Sequence, residues 1–194
     1  MITFQKILAY NLRPNLGSVY EYLVELGLQK IDPPSNCPQQ LVIGDSIVLC
    51  SSLKRAYLCL NKRMNQEIIL LDALSEVVFD IREMCSLEEW QEGGSSVIRR
   101  RFRELFIEDR LPESRQKIKA DIEKVLELCR RYKENDITII SHSFKLKLIQ
   151  AYIETRGRLM THPQLIEDFL FDEKKTFGFG ETFSFSFSDI KKHT

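Results

Sequence analysis

A chain of 194 residues with 43% hydrophobic and 29% charged residues has room for one sizeable core and at most a small excursion from it. Its 28 Lys and Arg balance 28 Asp and Glu, so no global field selects nucleic acid or an anionic membrane. No apolar run reaches spanning length, the N-terminus lacks a signal-peptide layout, and the five cysteines include no C-x-x-C pair, which together predict a cytoplasmic protein in a reducing compartment.

Ile2 to Tyr10 reads as a first strand, followed by the polar turn Asn11-Leu12-Arg13-Pro14-Asn15. Leu16, Val19, Tyr20 and Leu23 then repeat at helical spacing, with Asn15 as N-cap and Gly27 near the end. Three prolines make Asp32 to Gln40 a loop. Ser46 to Cys50 predicts a buried strand, and Ser51-Ser52 leads into a helix that carries Arg55 in its first turn. Ile68 to Leu71 is a short further strand, and Ala73 to Met84, with Glu76 and Glu83, reads as turn or irregular helix.

Residues 88–112 read as an inserted region in which Gly93-Gly94-Ser95-Ser96 is flexible and Val97 to Asp109 is amphipathic. Its arginines, Arg99, Arg100, Arg101 and Arg103, are balanced by Glu104, Glu108 and Asp109, so they predict a solvated helix face rather than a surface for an anionic partner. Ser114 to Tyr132 is a strong helix, with Ile118, Ile122, Val125, Cys129 and Tyr132 on one side. The β-branched run Ile137 to Ile140 then ends at Ser141-His142-Ser143 and gives way to a helix from Phe144 to about Arg156. A loop containing Pro163 comes next, and Phe183, Phe185 and Phe187 alternate with serines in a strand with one buried aromatic face.

Three strand ends therefore place Arg13, Ser51 with Arg55, and His142 with Ser143 on one rim of a mostly parallel sheet. Ligands of open α/β sheets collect at that rim, where helix N-termini offer free N–H groups to anions. Two guanidiniums, hydroxyls and an imidazole suit a phosphate oxyanion, because the Arg fork matches its oxygens in pairs. Taken singly, an Arg near a helix start makes a surface ion pair and a lone His is a polar turn residue. Their recurrence at one topological position is what points to a phosphate pocket of Arg13, Arg55 and His142. Cys50 with Arg55 spaces as Cys-x4-Arg, one residue short of the Cys-x5-Arg loop of cysteine phosphatases and without its glycine, so Cys50 reads as a buried strand thiol.

The same segments resemble the histidine phosphatase superfamily, the group of the phosphoglycerate mutases. Cys50-Ser51-Ser52-Leu53-Lys54-Arg55-Ala56 is similar to its S-S-P-L-x-R-A segment, and Ala73 to Phe79 to its L-x-E-x-x-F-G segment. Pro112-Glu113-Ser114 resembles the G-E-S before a long helix, and Ile139 to Ser143 the V-V-S-H-G run. The resemblance implies a single domain over residues 1–194, a three-layer α/β/α sandwich with a mostly parallel sheet, and a metal-independent phosphomonoesterase site without cofactor or metal. In that site Glu76 corresponds to the proton donor, Glu83 to a second glutamate, and His142 to a phosphate-contacting histidine.

One departure lies at the start. The family's R-H-G, whose histidine is the nucleophile, is matched by Arg13-Pro14-Asn15. Proline has neither a nucleophilic lone pair nor an N–H, so it can neither attack phosphorus nor donate to a phosphate. His162 and His193 are the other histidines, and neither follows a predicted strand at the rim. The resulting expectation is a pseudophosphatase that binds phosphate, or a phosphorylated small molecule or protein, with Glu76 serving as a partner of Arg55 or His142. The alternatives are an active phosphomonoesterase with His142 or activated water as nucleophile, and a purely structural protein that binds a protein partner or a second copy of itself.

Overall fold

The computed structural model describes residues 2–6, 46–53, 56, 67–79, 84–133, 135–170, 182–186 and 188. Five strands form one sheet: β1 (Ile2–Lys6), β2 (Ile47–Ser51), β3 (Ile68–Leu71), β4 (Ile137–Ser141) and β5 (Thr182–Phe185), in the order β3-β2-β4-β1-β5. The first four are mutually parallel and β5 runs antiparallel to β1. Strand β4 lies at the centre and all five of its residues are buried. Because alternate residues of a strand face opposite sides, this burial means that both faces of the sheet are covered, as a three-layer arrangement requires. The β-branched run Ile-Thr-Ile-Ile suits such a position, and its one hydroxyl is satisfied by Thr138 Oγ1 lying 2.8 Å from Ser46 Oγ.

Between β3 and β4 the chain forms a 3-10 turn at Asp72–Leu74 and helices α1 (Leu87–Gly93), α2 (Ser95–Ile107) and α3 (Arg115–Arg131). Helix α1 opens with a reciprocal cap: the Ser86 hydroxyl accepts from the Glu89 amide at 3.1 Å and the Glu89 carboxylate from the Ser86 amide at 2.8 Å. The stretch Gly93 to Ser96, expected to be flexible, is instead the joint between α1 and α2. Gly94 takes φ 57° and ψ −144°, a conformation reserved for glycine, which ends one helix and starts the next without a loop.

Helix α3 begins at the expected N-cap, where Ser114 accepts from the Lys117 amide at 3.2 Å. Its buried stripe contains Ile118, Ile122, Val125 and Cys129, and Arg130 and Arg131 favour the negative end of the helix dipole. Burial pushes the Cys129 thiol up to about 12, so this cysteine is inert core.

Helix α4 (Ser143–Glu154) follows β4. The loop expected around Pro163 is instead a 3-10 turn, Arg158–Thr161, and helix α5, Pro163–Leu170. Proline breaks a helix only in its interior; at the first position its missing N–H costs nothing, and Leu165 and Ile166 donate to His162 O at 3.0 and 3.3 Å to close the first turn. In β5 the alternation is as expected, with Phe183 and Phe185 half-buried against the core and Ser184 and Ser186 exposed, while Phe187 lies outside the described residues. None of the described helices is long and apolar enough to cross a membrane.

The core joins both layers through Leu49, Ile139, Ile122, Phe106, Leu148 and Ile149. Leu148 is fully buried on the inner face of α4, so Leu148→Ala should lower unfolding stability by about 2–5 kcal/mol in a urea titration. A loss below about 1 kcal/mol would mean that α4 is not packed as described.

Candidate functional site

Strands β2 and β4 are neighbours in parallel, with Cys50 opposite Ile140, so Ser51 and Ser141 end side by side at the carboxyl rim of the sheet. Lys6, the last residue of β1, is in register with Ser141, so β1 also leaves the sheet at this edge. Ser141 is buried and its hydroxyl donates to Leu74 O at 2.5 Å, tying the end of β4 to the 3-10 turn after β3. On the β2 side, the Ser52 hydroxyl donates to the Asp72 carboxylate, which fastens the same turn from above.

His142 comes directly after and is buried, with 5% of its surface exposed. Its Nε2 lies 2.9 Å from Ser51 Oγ, and Ser51 Oγ also accepts from the Leu53 amide at 3.2 Å. The serine thus spans the two strand ends and fixes the imidazole on one side. The side chain of His142 makes no cap bond to α4.

That duty falls to Glu76, which the sequence placed in an irregular segment. Its Oε1 accepts from the Lys145 amide at 3.0 Å and the Val77 amide at 3.1 Å, and its Oε2 from the Phe144 amide at 3.3 Å. Two of the N–H groups that open α4 are therefore held by an internal carboxylate. The sequence pattern suggested a helix start open to a phosphate; the protein's own anion occupies the amides of Phe144 and Lys145 instead. Burial pushes the Glu76 carboxyl above the usual carboxylate range, opposed by the three amides and by the Lys145 ammonium.

Lys145 is the residue that sequence reasoning missed. Only 1% of its surface is exposed, and burial lowers its ammonium from the ordinary lysine range while Glu113, Asp121 and Glu76 pull it back. Its position carried a signal, since Lys145 stands three, four and seven residues before Leu148, Ile149 and Tyr152 on the apolar side of α4. Arg13, Pro14, Arg55, Glu83 and His193 lie outside the described residues. His162 is exposed and bonds within its own turn, with Nδ1 2.8 Å from Thr161 Oγ1 and 3.1 Å from Arg158 O. Cys50 is fully buried in β2, as a core thiol. On α2, Arg101 pairs with Glu104 at 3.1 Å and Arg103 with Glu167, both pairs open to solvent, which fits a solvated face.

No family model and no curated protein matches the sequence. Among solved structures, the chain is similar to an Escherichia coli K-12 protein assigned as an alpha-ribazole-5'-P phosphatase, with a TM-score of 0.52 and 16% identity over 93% of this chain and 87% of that one. It is also similar to the alpha-ribazole phosphatase of Shigella flexneri, with a TM-score of 0.49 and 17% identity over 93% and 87% of the two chains. The chain has a phosphoglycerate mutase-like α/β fold. The likeness to the Escherichia coli structure agrees, at the level of the fold, with the architecture that the resemblance of the sequence implies.

The raised Glu76 carboxyl has a definite sign. Its contribution to stability is complete below the ordinary carboxylate range and is lost as pH rises through the elevated folded value, because the folded state then has to hold a buried charge. Glu76→Gln removes that ionisation, so the variant's stability should vary less than that of the unaltered protein as pH rises above the ordinary carboxylate range. Parallel pH profiles from denaturant titrations would show that Glu76 is not buried as described.

Proposed function

We propose that this histidine-phosphatase-fold protein holds a phosphate or a phosphorylated ligand at the rim of Arg13, Arg55 and His142, with phosphatase activity impaired or absent. The observation that carries the reading is the pairing of His142 with Ser51 across the ends of β2 and β4, at the edge where β1 also leaves the sheet toward Arg13-Pro14. An imidazole so placed can give an N–H to an anion, and Arg13 and Arg55 would supply most of the binding charge.

Pro14 decides the fate of a bound phosphate ester. With proline where the family has its nucleophile, the covalent route that splits one difficult step into two is closed, and only water attack with electrostatic help remains. Glu76 is a poor substitute base, since three amides already donate to its oxygens. The expected partners are accordingly phosphorylated molecules that are held rather than consumed, in a cytoplasmic setting.

The test is a p-nitrophenyl phosphate assay on the unaltered protein, Pro14→His and His142→Ala. The unaltered protein should hydrolyse near background while millimolar vanadate raises its melting temperature, because a ligand of the native state must stabilise it. Pro14→His should gain turnover, and His142→Ala should lose the vanadate shift. Robust metal-independent turnover by the unaltered protein, abolished in His142→Ala, would contradict the reading.

A further inference from the structure

The bond between His142 and Ser51 fixes more than the place of the ring. A neutral imidazole carries one proton between two nitrogens, and the partners of those nitrogens decide which of them holds it. At Nε2 the partner is the Ser51 hydroxyl, 2.9 Å away. A serine hydroxyl has one hydrogen to give and two lone pairs with which to accept, so it can serve either form of the ring. Its other contacts settle which form that is.

Ser51 is fully buried at the end of β2, so bulk water takes no part in its hydrogen bonding. The Leu53 amide, which can only donate, takes one lone pair of the Ser51 oxygen at 3.2 Å. The hydroxyl hydrogen must then go to an acceptor. Ser75 Oγ stands 3.5 Å away, beyond the roughly 2.5–3.0 Å of an ordinary O–H···O bond, and it lies about as close to Ser52 Oγ, at 3.4 Å. Ser141, the neighbouring strand end, commits its own hydroxyl to Leu74 O. Among the described residues, His142 Nε2 is therefore the acceptor within good reach of the Ser51 hydrogen. Were Nε2 to carry the proton instead, it would take the second lone pair of the serine and leave the buried O–H with the long Ser75 contact alone. A buried donor left without an acceptor costs more than an ordinary hydrogen bond returns.

We propose that Ser51 is a positioning residue that sets the proton of His142: its hydroxyl donates to Nε2, so the neutral ring carries its hydrogen on Nδ1. Two properties of the rim follow. The Nε2 lone pair is held by Ser51 and Nδ1 is protonated, so the neutral ring has no free lone pair with which to attack phosphorus or to take a proton from water. An N–H that the neutral ring gives to an anion is accordingly the Nδ1–H. Ser51 thus keeps His142 a donor and bars it from standing in for the nucleophile that Pro14 replaces. This consequence for a bound phosphate rests on the proposed anion site, whereas the proton assignment rests on the contacts of Ser51 alone.

The experiment is nitrogen-15 NMR of the imidazole rings in the unaltered full chain, in Ser51→Ala and in Ser51→Thr, at a pH where the titration shows the ring to be neutral. Protonated and bare ring nitrogens have distinct shifts, and the His142 signals are assigned by their loss in His142→Ala. The unaltered protein should hold its proton on Nδ1 rather than Nε2 by a ratio of about tenfold or more. That ratio should fall by about tenfold in Ser51→Ala and return in Ser51→Thr, which keeps the hydroxyl. A proton mainly on Nε2 in the unaltered chain, or a ratio that Ser51→Ala does not move, would overturn the proposal. The first of these outcomes needs no variant, so the unaltered chain decides the matter should Ser51→Ala fail to fold. The spectra are recorded without an anion. A melting temperature that vanadate does not raise would therefore count against the anion site, and a proton on Nε2 against the role of Ser51.

Discussion

The arrangement of the rim depends on one carboxylate placed at a helix start. An α-helix opens with amides that have no partner of their own, and in an interior those groups must be satisfied. Here the Phe144 and Lys145 amides find Glu76, brought in by the 3-10 turn that Ser141 holds from β4 and Ser52 from β2. The turn, the two strand ends and the helix therefore support one another. His142 sits at their junction, fixed against Ser51, and its position is set by contacts of its neighbours more than by any it makes to α4.

This arrangement changes what the rim offers an anion. A helix N-terminus at a parallel sheet edge is an ordinary phosphate site, but two amides of this one already hold an internal negative charge. Under the proposed reading, binding charge for a phosphate comes from side chains, Arg13 and Arg55 together with His142. The same contacts leave Glu76 buried, with its oxygens taken by the amides of Val77, Phe144 and Lys145.

Much of the scaffold was legible because its signals are local. The unbroken β-branched run of β4 announced a strand, the Ser114 helix start and apolar stripe announced α3, and Phe-Ser alternation announced β5. Other features depend on tertiary context. Pro163 looked like loop because nothing in the sequence shows whether a proline is the first or an interior residue of a helix. Gly93-Gly94 looked flexible because a joint that needs φ above zero uses the same residue as a hinge. For the site, the strand ends read from the sequence put Ser51 and His142 on one edge, where their side chains meet, but the capping role of Glu76 spans 68 to 69 residues of sequence and has no local mark. Lys145 did have one, a charge at an apolar helical spacing, and it is buried, as is Lys147.

The behaviour of the rim toward a phosphate-like ion is decisive, and a crystal of the unaltered protein soaked with vanadate reads it most directly. The expected result is an intact oxyanion held by Arg13, Arg55 and His142, with Glu76 still on the α4 amides and no covalent bond to any side chain. A rim that stays empty at saturating vanadate, or a vanadium–nitrogen bond to His142, would contradict a pocket that holds phosphate without attacking it.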